Sequence, residues 1–423
     1  MAAPSRFVQD FVDFLAASPT SYHAAEAMAQ RLVRAGFTAL DEKQSWSLVS
    51  GKHFFVRGGA VVAWIAPEHL GPTAGFRIVG AHSDSPALKL KPGPDFAAAG
   101  WQQLNMEVYG GPLLNSFLDR ELGLAGRIVE TDGTSHLVRT GPIMRVSQLA
   151  PHLDRSVNEK LTIDRQFELM PSFGLGDEPE IVELLCEQAG IAVADFAFAD
   201  VLSFPTQRPE VFGNHREFLA SSRLDNLSSV FPALSALTAF GQADSGTDVA
   251  VFVAFDHEEV GSATTSGAQG PILADALSRV AGGLGVDGDA WHAMLARSSC
   301  ISADAAHSVN PNHLAKYDPQ TRPIMNHGPS LKVNAQQRYA TDAHTAALWQ
   351  RCCAAAAVPN QVFVSNNDVP CGSTIGPITA TRLGIATVDV GIPILSMHSA
   401  REMCGTADPG HLAAALEAYW QGA

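Results

Sequence analysis

Seven apolar residues in a row, Val249-Ala250-Val251-Phe252-Val253-Ala254-Phe255, run directly into Asp256-His257-Glu258-Glu259-Val260-Gly261-Ser262. A strand with one wet face alternates apolar and polar residues. An unbroken run instead reads as a strand buried on both faces, as in the middle of a parallel sheet covered by helices. In such sheets ligands sit beyond the carboxyl ends of the strands, so the acidic turn after Phe255 falls where chemistry is expected. Adjacent side chains diverge, so Glu258 and Glu259 are free to take different roles, one toward a metal ion and the other toward a proton.

The rest of the chain repeats this texture. Ala60 to Ile65 and Phe76 to Ala81 read as strands, the second ending in His82-Ser83-Asp84-Ser85-Pro86. Cys300 to Asp304, Leu331 to Asn334, Gln361 to Val364 and Ala386 to Val390 follow, separated by helical stretches such as Asp342 to Ala357 and closed by a helix over His411 to Trp420. Near the N-terminus, Phe7, Phe11, Phe14 and Leu15 mark one helix face. A second helix is expected with Ala25, Met28, Leu32 and Val33 inward and Gly36 as its stop. Leu227 to Leu237 has helical spacing, with Pro232 expected to kink or bound it.

Between Lys89 and about Gly213 the chain is rich in Gly and Pro and in short alternating segments. Arg127 to Thr131 and Ser135 to Arg139 flank Thr131-Asp132-Gly133-Thr134, a hairpin signal. Leu137 to Ile143 and Val201 to Thr206 also read as strands, and Gly174 to Glu180 as an exposed loop. The expectation is an α/β protein: a mostly parallel sheet covered by helices, interrupted by a β-rich insert. The catalytic domain would comprise 1–88 and 219–423, and the insert 89–218.

Composition narrows the possible partners. The chain has 423 residues, enough for a large core, and a net charge of −15 with no Lys/Arg stripe, which argues against nucleic acid. No apolar run reaches the roughly 18–20 residues of a membrane helix, and Met1 to Asp10 lacks the basic-then-apolar pattern of a secretory leader. Six cysteines without C-x-x-C spacing suit reduced thiols, so a cytoplasmic protein is expected.

Five sites with histidine or carboxylate fall at similar strand-to-loop junctions: His82 with Asp84, Asp225, the Glu258-Glu259 pair, Asp304 and His398. Two histidines and several carboxylates, without cysteine, suit two borderline-hard divalent ions such as Zn²⁺, Mn²⁺ or Co²⁺. Two ions need a bridging carboxylate, for which Asp225 is the candidate, and Asp84 can orient the His82 imidazole. His69, His136 and His292 read as ordinary surface or structural histidines, and the role of His307 stays open.

Six motifs, taken in order along essentially the whole chain, resemble the aspartyl aminopeptidases, family M18 of the metallopeptidases. They are His82-Ser83-Asp84-Ser85-Pro86, Ser222-Arg223-Leu224-Asp225-Asn226, Asp256 to Ser262, Lys332 to Thr341, Pro370-Cys371-Gly372-Ser373-Thr374-Ile375-Gly376-Pro377 and Ser396-Met397-His398-Ser399-Ala400-Arg401-Glu402. The resemblance implies a zinc-peptidase-like catalytic domain with an inserted dimerisation domain. One metal would be held by His82 and Asp304 and the other by Glu259 and His398, with Asp225 bridging. It implies Glu258 as the general base acting on the attacking water, with Asp84 and His152 assisting. Lys332 would read an acidic side chain, and Tyr339, Gly372, Ser373 and His152 would contact substrate. On residues alone His152 is a surface histidine; by resemblance it serves the neighbouring subunit's site. The implied substrates are peptides with N-terminal Asp or Glu, and the implied assembly is dimers forming a tetrahedral dodecamer. Two other classes stay in view: a related two-metal dipeptidase or deacylase, and a non-catalytic self-assembling scaffold that keeps the fold.

Overall fold

The computed structural model describes residues 5–47, 49–178, 180–241 and 247–423. Strand Val249–Phe255 lies inside a nine-stranded sheet, between antiparallel Ala60–Ala66 and parallel Phe76–His82. Beyond Phe76–His82 come Ser299–Ala303, Ala386–Gly391, Ser330–Val333 and Gln361–Val364; on the other side lie Gly51–Arg57 and Thr38–Ala39. Five of the eight neighbouring pairs are parallel and three antiparallel.

The seven-residue run splits between two cores, as two covered faces require. Ala250, Phe252 and Ala254 pack with helices Arg6–Ala17, Ser21–Arg34, Leu224–Phe240, Ala343–Ala355 and Asp408–Trp420. Val249, Val251, Val253 and Phe255 pack with Ile272–Gly283, Gly288–Arg297 and Ile375–Leu383. Fully burying one such Val or Phe contributes about 1.5–3 kcal/mol, so this strand is anchored from both sides.

A second, six-stranded sheet is antiparallel throughout. Its order is Ser135–Arg139, Leu122–Glu130, Phe196–Pro205, Ala87–Ala98, Trp101–Tyr109, Ser172–Leu175. It has its own apolar cluster, including Leu88, Leu104, Met106, Leu124, Ile128 and Val201, covered by helix Ile181–Ala189. A third sheet joins Glu210–Phe212, Phe218–Ser221, Glu402–Gly405, Pro393–Leu395 and Ala306–His307. The expected boundary at 218/219 therefore falls inside a strand that pairs with Glu402–Gly405.

Several local expectations are corrected. Val33 is 57% exposed, because Ala25, Met28 and Leu32 already define the inward stripe and Val33 lies one residue, about 100°, around the helix. Helix Leu224–Phe240 continues through Pro232, and its backbone departs from helical geometry at Asp225 and Asn226 instead. The strand expected over Leu137 to Ile143 ends at Arg139. Strand Ser172–Leu175 enters the segment expected to be a loop over Gly174 to Glu180, of which Pro179 lies outside the described residues.

Candidate metal centre

Each candidate ligand is delivered by the end of a rigid element. His82 closes strand Phe76–His82, Asp304 follows Ser299–Ala303, and Glu258 and Glu259 open a short turn after Val249–Phe255. His398 follows Pro393–Leu395, and Asp225 lies at the irregular start of helix Leu224–Phe240. The acidic turn is seated by Asp256, whose buried carboxylate accepts the N–H groups of Gly59 (3.1 Å) and His257 (3.0 Å). A Cβ at Gly59 would lie 2.4 Å from that carboxylate, so the turn between antiparallel strands Gly51–Arg57 and Ala60–Ala66 can approach this closely only with glycine there.

The five residues converge. His82 Nε2 lies 3.3 Å from Asp225 Oδ1 and 3.4 Å from Asp304 Oδ1. His398 Nε2 lies 3.4 Å from both Asp225 Oδ2 and Glu259 Oε2. The two oxygens of Asp225 thus face two different histidines. Donor atoms about 2.0–2.1 Å from a tetrahedral Zn²⁺ are about 3.3–3.4 Å from one another, so the spacing suits such an ion at each histidine. Asp225 Oδ1 and Glu259 Oε1 are buried and accept no hydrogen bond, which leaves each a lone pair for a cation. His82, Glu258 and Glu259 form a further group whose donor atoms all lie within 4.8 Å of one another.

The surroundings orient these groups. His82 Nδ1 faces the Asp84 carbonyl at 3.1 Å and His398 Nδ1 the Gly111 carbonyl at 3.0 Å. Each carbonyl accepts, so each Nδ1 keeps its proton, and Nε2 is the atom that would give up a proton to an incoming ion; until then the facing carboxylates hold both imidazoles in the charged form. The Asp84 carboxylate is 3.5 Å from His82 Nδ1 but accepts shorter bonds from the N–H groups of Glu258 (3.0 Å) and Glu259 (3.1 Å) and from the Tyr109 hydroxyl (2.8 Å). Its main grip is on the acidic turn. Glu402 accepts the N–H groups of Asp225 (3.0 Å) and His398 (2.7 Å).

Burial, reinforced by Asp304, Asp225 and Asp84 and opposed by His82, pushes the Glu258 carboxyl up to about 7. Burial and the nearby Asp225 likewise raise Glu402 to about 8. Burial pulls His398 down, but Asp225 and Glu259 outweigh it and carry the imidazole up to about 10. The carboxylates outnumber the cations of the chain here, which is the electrostatic setting a divalent ion relieves.

Lys332 is 2% exposed and does have the anion that a buried lysine demands, supplied by its own chain. Its ammonium donates to the carbonyls of Ala305 (3.0 Å) and Asp304 (3.1 Å) and to Asp304 Oδ2 (3.3 Å), and stands 4.9 Å over the Tyr339 ring. Gly372 and Ser373 lie exposed on the loop before helix Ile375–Leu383. His307 is solvent-exposed and meets Phe363 edge-on at 5.7 Å; partial desolvation by surrounding atoms and the Lys332 charge lower its pKa. His152 is exposed, on an irregular segment that also exposes Leu153 (76%) and Phe167 (78%), and the structure does not gather it with the other site residues of its own chain. Sequence reasoning assigned no role to Tyr109, Gly111 or Glu402. Glu402 stood in a quoted motif four residues after His398; Tyr109 and Gly111 carry no local signal.

The family model described as aminopeptidase I zinc metalloprotease (M18) matches residues 14–420. The chain belongs to the M18 family. It is 47% identical over 433 residues to a "Probable M18 family aminopeptidase 2" of Streptomyces coelicolor, covering 100% of both chains. Among solved structures it resembles a chain of the Ape4 and Nbr1 complex, with TM-score 0.94, 35% identity, and coverage of 98% of this chain and 85% of that one. It also resembles the S. cerevisiae mApe1 dodecamer, with TM-score 0.87, 27% identity, and coverage of 99% and 97%. M18 membership makes the chain a metallo-aminopeptidase, a hydrolase of the zinc-peptidase-like α/β fold.

Proposed function

We propose that this M18 protein is a two-metal aminopeptidase that removes N-terminal Asp and Glu from peptides. The observation that carries the two-metal reading is Asp225, whose two oxygens address His82 and His398 separately. His82 and Asp304 would hold one ion, Glu259 and His398 the other, with Asp225 between them. Zinc fits best and Mn²⁺ or Co²⁺ suits the same donors. When bound, the ions would supply positive charge that acidifies water and polarises the scissile carbonyl. Glu258 takes the proton from the attacking water and returns it to the leaving amine, and Asp84 holds the Glu258 and Glu259 backbone in place.

Acidic preference rests on Lys332. Its longest bond, 3.3 Å to Asp304 Oδ2, is the one an incoming side-chain carboxylate would share. Because all three ammonium protons already have acceptors, a second reading also stands, in which the pocket takes neutral side chains equally well. Tyr339, Gly372 and Ser373 would wall this pocket. The reading further includes a cytoplasmic homo-oligomer, in which 89–218 acts as a dimerisation insert in a catalytic domain of 1–88 and 219–423. It is supported by the likeness to a dodecameric structure, and in it the exposed His152 reaches the neighbouring subunit's site.

The test is hydrolysis of Asp-, Glu-, Leu- and Lys-anilides by stripped and metal-restored protein, beside Asp225→Ala and Lys332→Met. Stripping should abolish turnover and Zn²⁺, Mn²⁺ or Co²⁺ restore it, and Asp225→Ala should lose both ions by elemental analysis. Two ions per chain in Asp225→Ala refute the bridge. Lys332→Met should lower kcat/KM for Asp over Leu by about 10–100-fold, the scale of a charge-assisted bond. An unchanged ratio selects the neutral pocket.

A further inference from the structure

Asp389 is a buried carboxylate that the reaction does not call upon. It sits on strand Ala386–Gly391 between the buried Val388 and Val390, with 0% exposure, where another apolar side chain would continue the core. Its Oδ1 accepts the hydroxyls of Ser302 and Thr374, each at 2.6 Å, and its Oδ2 accepts the Ala340 N–H at 2.7 Å. Its own N–H donates to Thr341 Oγ1 at 3.0 Å. The cation it feels, Lys332, is paired with Asp304. A Cβ at Gly376 would stand 2.3 Å from Oδ2, so the start of helix Ile375–Leu383 is set directly against the carboxylate. Burying a carboxylate among neutral donors is costly, and only full hydrogen bonding makes it tolerable.

The three partners are not equivalent in what they hold. Ser302 is two residues before Asp304 on a strand the sheet already secures on both sides. Ala340 follows Tyr339 in the loop leaving Ser330–Val333, and Thr374 follows Gly372 and Ser373 in the loop entering the helix. Neither loop is a strand, so the carboxylate is their common strut. We propose that Asp389 is a positioning residue: it sets the spacing between loops 334–342 and 370–374 and thereby the selectivity of the side-chain pocket they enclose. The inference rests on the reading of those loops as the pocket walls.

Asn at 389 keeps the shape. The Ala340 N–H can still find its carbonyl oxygen, while the Ser302 and Thr374 hydroxyls must turn to accept from its NH₂. Thr374 Oγ1 also caps the helix by accepting the Gly376 N–H at 3.2 Å, so with the Asn NH₂ as a second donor both its lone pairs are taken and its own O–H loses its buried acceptor, which loosens that loop. The experiment uses zinc-loaded full-length wild type, Asp389→Asn, Thr374→Val and Ser302→Ala, with zinc per chain, kcat and KM on Asp-, Glu-, Leu- and Ala-anilides.

Asp389→Asn should keep two zinc ions, raise KM more than it lowers kcat, and change the Asp-to-Leu ratio of kcat/KM by about 10-fold or more. Thr374→Val should move the ratio in the same direction, and Ser302→Ala should leave it alone. Unchanged ratios in Asp389→Asn, or in Thr374→Val should Asp389→Asn fail to fold, overturn the inference. So does loss of zinc in Asp389→Asn, which would mean that the residue acts through Asp304. Wild type that holds zinc but cleaves no anilide sinks the aminopeptidase reading itself and takes this inference with it.

Discussion

Replacing Asp84 by Asn tests how the site is held together, because the change removes one charge and no volume. The carboxylate serves three donors, the N–H groups of Glu258 and Glu259 and the Tyr109 hydroxyl. Asn offers a single acceptor oxygen, so its NH₂ must face at least one group that can only donate. Bonds to a charged acceptor contribute about 1.5–3 kcal/mol each, and an orphaned buried N–H costs about 1–3 kcal/mol. Losing one bond, weakening the rest and orphaning one donor sums locally to about 3–5 kcal/mol. Part of this falls on the turn carrying Glu258 and Glu259, where orienting partners are worth 10–100-fold in metal affinity or activity. Asp84→Asn should therefore bind zinc and turn over substrate at least about 10-fold less well. Tyr109→Phe, which leaves both backbone donors satisfied, should cost less. Zinc dissociation constants by chelator competition and kcat/KM on one anilide provide the measurement. Values within about threefold of wild type for Asp84→Asn would refute the claim that this carboxylate organises the acidic turn.

Glu258→Gln should keep its metals, by elemental analysis, and lose at least about 10²-fold in kcat; near-normal turnover would assign the proton transfer elsewhere. Glu258 must be ionised to accept a proton, so activity falls as pH drops through its pKa. That pKa is about 7 without ions, and bound cations favour the charged form, so kcat/KM of the metal-saturated protein should have its acid limb below 7. An acid limb above 7 contradicts this. Mixed oligomers of His152→Ala and Glu258→Gln chains should recover activity that neither parent has; no recovery in verified mixtures places His152 outside the neighbouring site.

What was readable from the sequence was mostly local. Val249–Phe255 could be bounded to the residue because seven apolar side chains leave no polar face to assign. The convergence of His82, Glu259 and Asp304 could be anticipated because each lies at or just beyond the carboxyl end of one of three neighbouring parallel strands; Asp225, at the start of a helix, and His398, after a strand of the third sheet, join them through tertiary placement. Ala87–Ala98 was not readable: the alternation of Leu88-Lys89-Leu90-Lys91 stops after four residues at Pro92-Gly93-Pro94, and the register shifts between Leu90 and Asp95. Gly51–Arg57 was missed although Gly58-Gly59 before Ala60 is a hairpin signal. The partner of Lys332 lies 28 residues away and that of Tyr109 25 residues away, distances at which no periodicity reports contact.

The Tyr109 hydroxyl, the Gly111 carbonyl and the Leu113 N–H all reach from the end of the second sheet to Asp84 and the backbone and ring of His398. A ligand set oriented from outside its own sheet is thermodynamically linked to whatever positions that second sheet. On the proposed reading of His398 as a ligand, any contact that shifts the six strands would change how well its Nε2 meets an ion, and by reciprocity a bound ion would stiffen the joint between the sheets. Occupancy of the proposed metal centre and the grip of a surface some distance from it would then be two readings of one equilibrium.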